Sequence, residues 1–134
     1  MPNLSIGEYA FPGPLRDQLV AAIVAGEKTS TSSLVAEYVD SPLPKIGDRE
    51  IVVDSNNQHV CITCVTNVSV VQFANVPLSH ALAEGEGFRT VADWAAEHRD
   101  FWQSREFQES LPQPISITDH TEVVCVSFVV SHIF

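Results

Sequence analysis

The sequence predicts an α+β fold, a small β-barrel with flanking helices, and three observations carry that reading. Strand-like segments outnumber the helical layers needed to sandwich them, strand–helix–strand alternation is absent, and the last strand lies far along the chain from the central pair. A curved sheet closed by long-range pairing fits these better than a parallel α/β sheet does. At 134 residues, 45% of them hydrophobic, the chain suits one domain over 1–134 with a single core.

The elements follow in order. "PLRDQLVAAIVAGE" opens with Pro14, suited to a first helical turn, and sets Leu15, Leu19, Val20, Ile23 and Val24 along one face before Gly26 ends it. "SSLVAEYV" reads as a second, shorter helix, started by hydroxyl residues and stopped by Pro42 and Pro44. A strand through Ile51–Val53, a polar hairpin loop and a long strand through "HVCITCVTNVSVVQF" come next. "VPLSHALAEGEG" predicts a short helix opened by Pro77 and broken by Gly85 and Gly87. "TVADWAAEHRDFW" predicts another, capped by Thr90, with Trp94, Phe101 and Trp102 at the spacing of a core face. A loop marked by Pro112 and Pro114 leads to the closing strand, "TEVVCVSFVVSHIF".

Charge narrows the function classes. Seventeen acids against seven bases give a net charge of −10, and the bases are scattered along the sequence, which disfavours long nucleic acid held by phosphate neutralisation. A small nucleoside, a single extruded base or a local basic patch stays compatible. Cys61 and Cys64 in "CITC" have the spacing of a zinc half-site, but on a strand positions three apart face opposite ways. The histidines show no H-x-x-x-H spacing, so neither metal nor other cofactor is expected. No window approaches the ~20 apolar residues of a membrane helix, and the start lacks a charged segment followed by an apolar run. The expected setting is cytoplasmic.

The run "GEKTSTSS" at 26–33, then "LPKIGD", then "EGEGFRTVADWAAEHRDFW", in that order, resembles the ASCH superfamily, whose fold is a barrel related to the PUA RNA-binding domain. The resemblance covers the chain roughly from the first helix to the final strand. It implies an RNA-binding module, a ribonuclease, or an amidohydrolase that removes the acetyl group from 4-acetylcytidine. In the hydrolase branch the working residues are a Lys and a Thr of a K-T-x-T stretch and a Glu from a later acidic segment. Lys28, Thr31 and Glu86 match these, with Glu84 adjacent. Ser32 and Ser33 depart from that branch, which follows K-T-x-T with an apolar residue and Arg.

The chemistry can be argued beside the resemblance. A threonine hydroxyl attacks an amide carbonyl only after a base takes its proton, and a lysine is a base only when neutral. Lys28 as base, Thr31 as nucleophile and Glu86 as the acid protonating the leaving amine make one consistent set if Lys28 and Glu86 share a proton. Thr29, Ser32, Ser33, Tyr38 and Glu84 then become candidate contacts to a small nucleoside or RNA ligand. Read without the family, the hydroxyls only cap a helix and Lys28 is a solvated lysine. In the binding-module reading, Lys28 and Lys45 contact phosphate.

Overall fold

The computed structural model describes residues 4–134. Its centre is an antiparallel ribbon of two long strands, β4 (His59–Gln72) and β5 (Glu122–Ile133), registered from Cys61 opposite Ile133 to Gln72 opposite Glu122. The register shifts between Ile62 and Thr63 and again between Val65 and Asn67, and such bulges bend a ribbon. Three short strands complete the sheet: β1 (Leu4–Gly7), β2 (Ser30–Leu34) and β3 (Arg49–Val53). β3 pairs with the first half of β4 and carries β1 in parallel on its outer edge; β2 pairs with the first half of β5. The order is therefore β1-β3-β4-β5-β2, mixed and open. The expected closed barrel is not formed: β1 and β2 end the order, and Gly7 and Thr31 line one cavity instead of pairing.

Helix α1 (Pro14–Val24) forms where its proline and glycine signals place it, with Gly26 at φ 79 beyond its end. Its buried face is set by Arg16, Val20 and Ile23, while Leu15 and Val24 are exposed. The apolar face read from sequence is thus rotated, because the structure buries a guanidinium in it. Val20 and Ile23 pack with Tyr9, Val52, Cys61 and Phe128. On the other half of the sheet, α2 (Leu78–Ala83), α3 (Val91–Trp102) and α4 (Arg105–Ser110) enclose Phe73, Trp94, Trp102 and Phe107 against Leu34 and Val123. Trp94 and Trp102 are fully buried, as their helical spacing suggested. Thr90 caps α3 by accepting from the Asp93 N–H at 3.0 Å.

The second predicted helix is the main correction. Residues 30–34 form strand β2, and only Val35–Tyr38 turn, as a single 3-10 turn. A hydroxyl-rich start suits a helix cap locally, but here β5 supplies a five-residue ladder from Ser30–Ser127 to Leu34–Val123. That ladder outweighs a weak local preference. The capping role passes to Glu37, whose Oε2 accepts the Leu34 N–H at 2.7 Å.

Candidate functional site

As a strand, "STSSL" sorts its hydroxyls by face. Ser30 and Ser32 turn toward α2: the Ser30 hydroxyl donates to the His80 carbonyl at 3.1 Å, and Ser32 meets the His80 ring and Glu84. Ser33 alternates with them and shares a 2.7 Å hydrogen bond with the Tyr38 hydroxyl. Thr31 lines the cavity with Ser33 and Tyr38, and its hydroxyl is engaged by no neighbour among the described residues. Thr29 is exposed, donates to the Ala83 carbonyl and lies outside the cavity lining, so a ligand contact from Thr29 does not follow from its position.

Lys28 is 2% exposed and its Nζ donates to three oxygens: the Ser30 carbonyl at 2.9 Å, the Glu84 carbonyl at 3.3 Å and Glu86 Oε2 at 3.3 Å. Glu84 Oε1 stands at 3.8 Å. Three donors facing three acceptors describe an ammonium held in a pocket of oxygens. Gly85 makes this possible. Its φ is +68, and a Cβ there would fall 2.2 Å from the Glu27 carbonyl oxygen and 2.8 Å from Lys28 Cα. Only glycine lets the 84–86 loop press onto the Lys28 backbone with a glutamate on either side.

The two glutamates differ. Glu84 is 1% exposed and its carboxylate is crowded with donors. Oε2 accepts from the Ser32 hydroxyl at 2.7 Å and from the Trp94 indole N–H, and His80 Nε2 lies at 3.3 Å; Oε1 faces His98 Nε2 at 3.1 Å. Burial alone would raise its pKa, but the hydrogen bonds from His80 and His98, with the His98 and Lys28 charges, hold it well below the usual carboxylate range. Glu86 keeps part of its side chain in the cavity and has Lys28 as its charged partner. Burial pushes its carboxyl up, Lys28 opposes this, and Glu84 adds to it.

His98 also donates from Nδ1 to the Trp94 carbonyl at 2.9 Å and stacks on the Trp94 ring at 4.3 Å between centroids. Both of its nitrogens therefore face acceptors. Glu84, Glu86 and His98 offer ligand atoms within 4.8 Å of one another, a set able to hold a cation. Lys28 Nζ already supplies positive charge beside both carboxylates.

The cavity measures about 960 Å³ and runs from this cluster between the edges of the open sheet. Its far wall brings in residues that the sequence reading passed over: Tyr9, Arg16 and Glu50. The Tyr9 ring centroid lies 6.0 Å from Lys28 Nζ. Glu50 sits where a side chain on Gly7 would be, and burial raises its carboxyl, with the Asp48 charge adding to this. Burial likewise raises the Tyr38 phenol. His80 had one legible signal, its i,i+4 spacing to Glu84, which puts both on one side of the α2 turn. His98 had a weaker one, i+4 from Trp94 in α3.

A family model for the ASCH domain matches residues 8–132. Among solved structures, the ASCH domain from Lactobacillus crispatus JV V101 is 26% identical, with a TM-score of 0.83 over 97% of this chain and 80% of that one. A protein from Enterococcus faecalis V583 is 27% identical at a TM-score of 0.82, over 99% of this chain and 78% of that one. A mutant ASCH protein from Zymomonas mobilis, 13% identical at a TM-score of 0.52 over 84% of this chain and 63% of that one, shares the fold alone. No curated protein matches the chain by sequence. Among the described residues no helix is long and apolar enough to cross a membrane.

Proposed function

Because the chain belongs to the ASCH domain family, we propose that it is an amidohydrolase removing an acyl group from the exocyclic amine of an acylated cytidine. In this reading the open sheet is a PUA-like barrel whose gap between β1 and β2 serves as the mouth of the site. One observation carries the proposal: a buried lysine and a glutamate with a raised pKa meet at 3.3 Å on the wall of a cavity with ample room for a nucleoside.

Two neighbouring carboxyls driven apart in pKa divide the work of acid and base. Glu84 stays ionised and fixes the cluster; Glu86 is the one that changes protonation. The reaction begins with transfer of a proton from Lys28 Nζ to Glu86 across their contact, which gives a neutral amine beside a neutral acid. The amine takes the proton of the Thr31 hydroxyl as Oγ attacks the acyl carbon. Glu86 then protonates the leaving nitrogen, releasing the parent nucleoside and leaving an acyl ester on Thr31. Water attacks that ester while the Glu86 carboxylate accepts a water proton. Lys28 returns its proton to Thr31 Oγ, the carboxylic acid leaves, and the neutral pair is restored.

Acetylated nucleosides incubated with the protein and analysed by chromatography test this directly. Wild type should release the parent nucleoside, Lys28→Ala and Thr31→Ala should each lose nearly all turnover, and the double variant should be little worse than either, since the two act as a unit. Glu86→Gln should lose roughly 10²–10⁴-fold, the usual worth of a general acid. Release by wild type no greater than by Lys28→Ala sinks the hydrolase reading. Salt-resistant retention of unmodified RNA on filters would then favour the binding module.

A further inference from the structure

We propose that Arg16 forms an anion subsite in the same cavity, so that the ligand is a nucleoside monophosphate whose phosphate rests on Arg16 while its base faces Lys28 and Glu86. The base end rests on the reading above; the anion end has its own evidence. Arg16 is 2% exposed and lines the cavity. Its Nε donates to the Tyr9 carbonyl at 3.2 Å and its Nη2 to the Ala10 carbonyl at 2.9 Å, which fixes the plane of the guanidinium. Nη1 is buried and has no acceptor among the described residues. The only carboxylate within ion-pair distance among the described residues is Glu8, 3.5 Å from Nη2 on a side chain that is 62% exposed.

The contrast with Lys28 decides what this means. Lys28 is equally buried but has two carboxylates and two carbonyls around it. Arg16 has neutral carbonyls and one solvated, displaceable acid. A guanidinium cannot shed its proton to escape burial, so its charge requires compensation, and an unmade hydrogen bond from Nη1 adds to the cost. A tetrahedral dianion at this wall of the cavity supplies the missing charge and an acceptor for Nη1, the guanidinium nitrogen that the two carbonyls leave unused.

The position suits a nucleotide. Tyr9 joins the two cations: its carbonyl holds Arg16 Nε, and its ring lies 6.0 Å from Lys28 Nζ. Both cations line the same cavity, which lets one ligand meet both. Arg16, Lys28, Lys45 and Arg49, four of the chain's seven bases, line this one cavity together with seven carboxylates, so its anion affinity is local to Arg16 and not a property of its net charge. Such a mixed lining can seat one phosphate at an uncompensated guanidinium and is far short of a polynucleotide track.

The test compares cytidine, cytidine 5′-monophosphate and inorganic phosphate by calorimetric titration and by the Arg16 Nε–H signal in nuclear magnetic resonance. The monophosphate should bind roughly tenfold or more tighter than cytidine, and phosphate alone should shift the Arg16 signal. Arg16→Gln should erase the preference for the monophosphate. Glu8→Gln, at an exposed position that leaves the fold intact, should strengthen phosphate and monophosphate binding several-fold and leave cytidine unchanged. That variant keeps the test decisive if Arg16→Gln fails to fold. Equal affinity for cytidine and its monophosphate, with Glu8→Gln neutral, overturns the subsite. If neither cytidine compound binds but phosphate shifts Arg16 and Glu8→Gln enhances it, the subsite stands and the cytidine reading falls. If phosphate leaves the Arg16 signal unmoved and no cytidine compound binds, the subsite is overturned.

Discussion

Glu84 and Glu86 are the same residue type two positions apart on one loop, and the structure gives them opposite tasks. Glu84 turns inward, where Ser32, Trp94, His80 and His98 saturate it and hold its pKa down. Glu86 turns toward the cavity, where burial without comparable donors pushes its pKa up. The difference lies in the donors each meets and in exposure, the Glu84 side chain being 2% exposed and that of Glu86 21%. A carboxylate with three hydrogen-bond donors and a second imidazole at 3.3 Å is a structural anion, and a carboxylate with one charged partner is available for proton transfer.

The strongest way to break that comparison is to remove the inward charge. Glu84→Gln keeps the size but strands two histidines and Lys28 in a buried cluster, and the loss of one partner of a buried ionic network costs about 3–5 kcal/mol. The matched Glu86→Gln should change stability by no more than about 1 kcal/mol. Urea unfolding of both variants decides it. Equal losses would mean that both glutamates are structural and that the division of roles is wrong.

Gly85 sets the comparison up, and its replacement comes next in size. Gly85→Ala forces a side chain into a φ of +68 and into contact with the Glu27 carbonyl. Strain of this kind costs about 1–3 kcal/mol. The loop relieves it by lifting, which separates Glu86 from Lys28, so turnover should fall even where the variant remains folded. A folded Gly85→Ala with unchanged activity would show that the 3.3 Å contact is dispensable.

How much of this was legible differs by residue. α1, the two long strands and the Thr90-capped α3 were readable because proline, glycine and hydroxyl signals agreed with the apolar period. Ser30–Leu34 was not readable as a strand, because its four hydroxyl residues satisfy a helix cap locally and the β5 edge that recruits them lies about ninety residues on. Lys28 and Glu86 were singled out from the resemblance, and the structure brings them together; Thr31 joins them only as a neighbour in the cavity wall. Arg16 was missed because an arginine on an amphipathic helix reads as surface. Its burial depends on the Tyr9 and Ala10 carbonyls, which no periodicity announces.

A smaller effect sharpens the contrast through pH. Glu84's folded-state pKa is depressed, so its stabilisation is present above the ordinary value of 4.5 and is lost as pH falls below it. Glu86's is raised, so its contribution is present below 4.5 and is lost as pH climbs through its folded-state value. The difference in unfolding free energy between wild type and Glu84→Gln should therefore grow with rising pH in the acid range. The difference between wild type and Glu86→Gln should shrink with rising pH above 4.5. Two differences that move in the same direction would refute the opposed assignment.

The smallest expected effects come from the adjacent serines of β2, which carry the same comparison down to single hydroxyls. Ser32 Oγ is a relay: it lies 2.7 Å from His80 Nε2 and donates to Glu84 Oε2 at 2.7 Å, so the ring nitrogen must be its donor. Ser32→Ala leaves the buried His80 ring N–H with only the longer 3.3 Å contact to Glu84 Oε2 and takes one donor from Glu84, which should cost about 1–2 kcal/mol. Ser33 Oγ only shares a hydrogen bond with the Tyr38 hydroxyl at the cavity wall, where incoming water can replace it, so Ser33→Ala should cost roughly 0.5 kcal/mol or less. Thermal unfolding of the two variants reads the difference. Because Ser32 feeds the inward carboxylate, Ser32→Ala should also move the acid limb of the stability curve upward in pH, while Ser33→Ala leaves that limb in place. An acid limb moved equally by both serines would mean that Glu84 is held down by the field of the whole cluster rather than by the donors it touches.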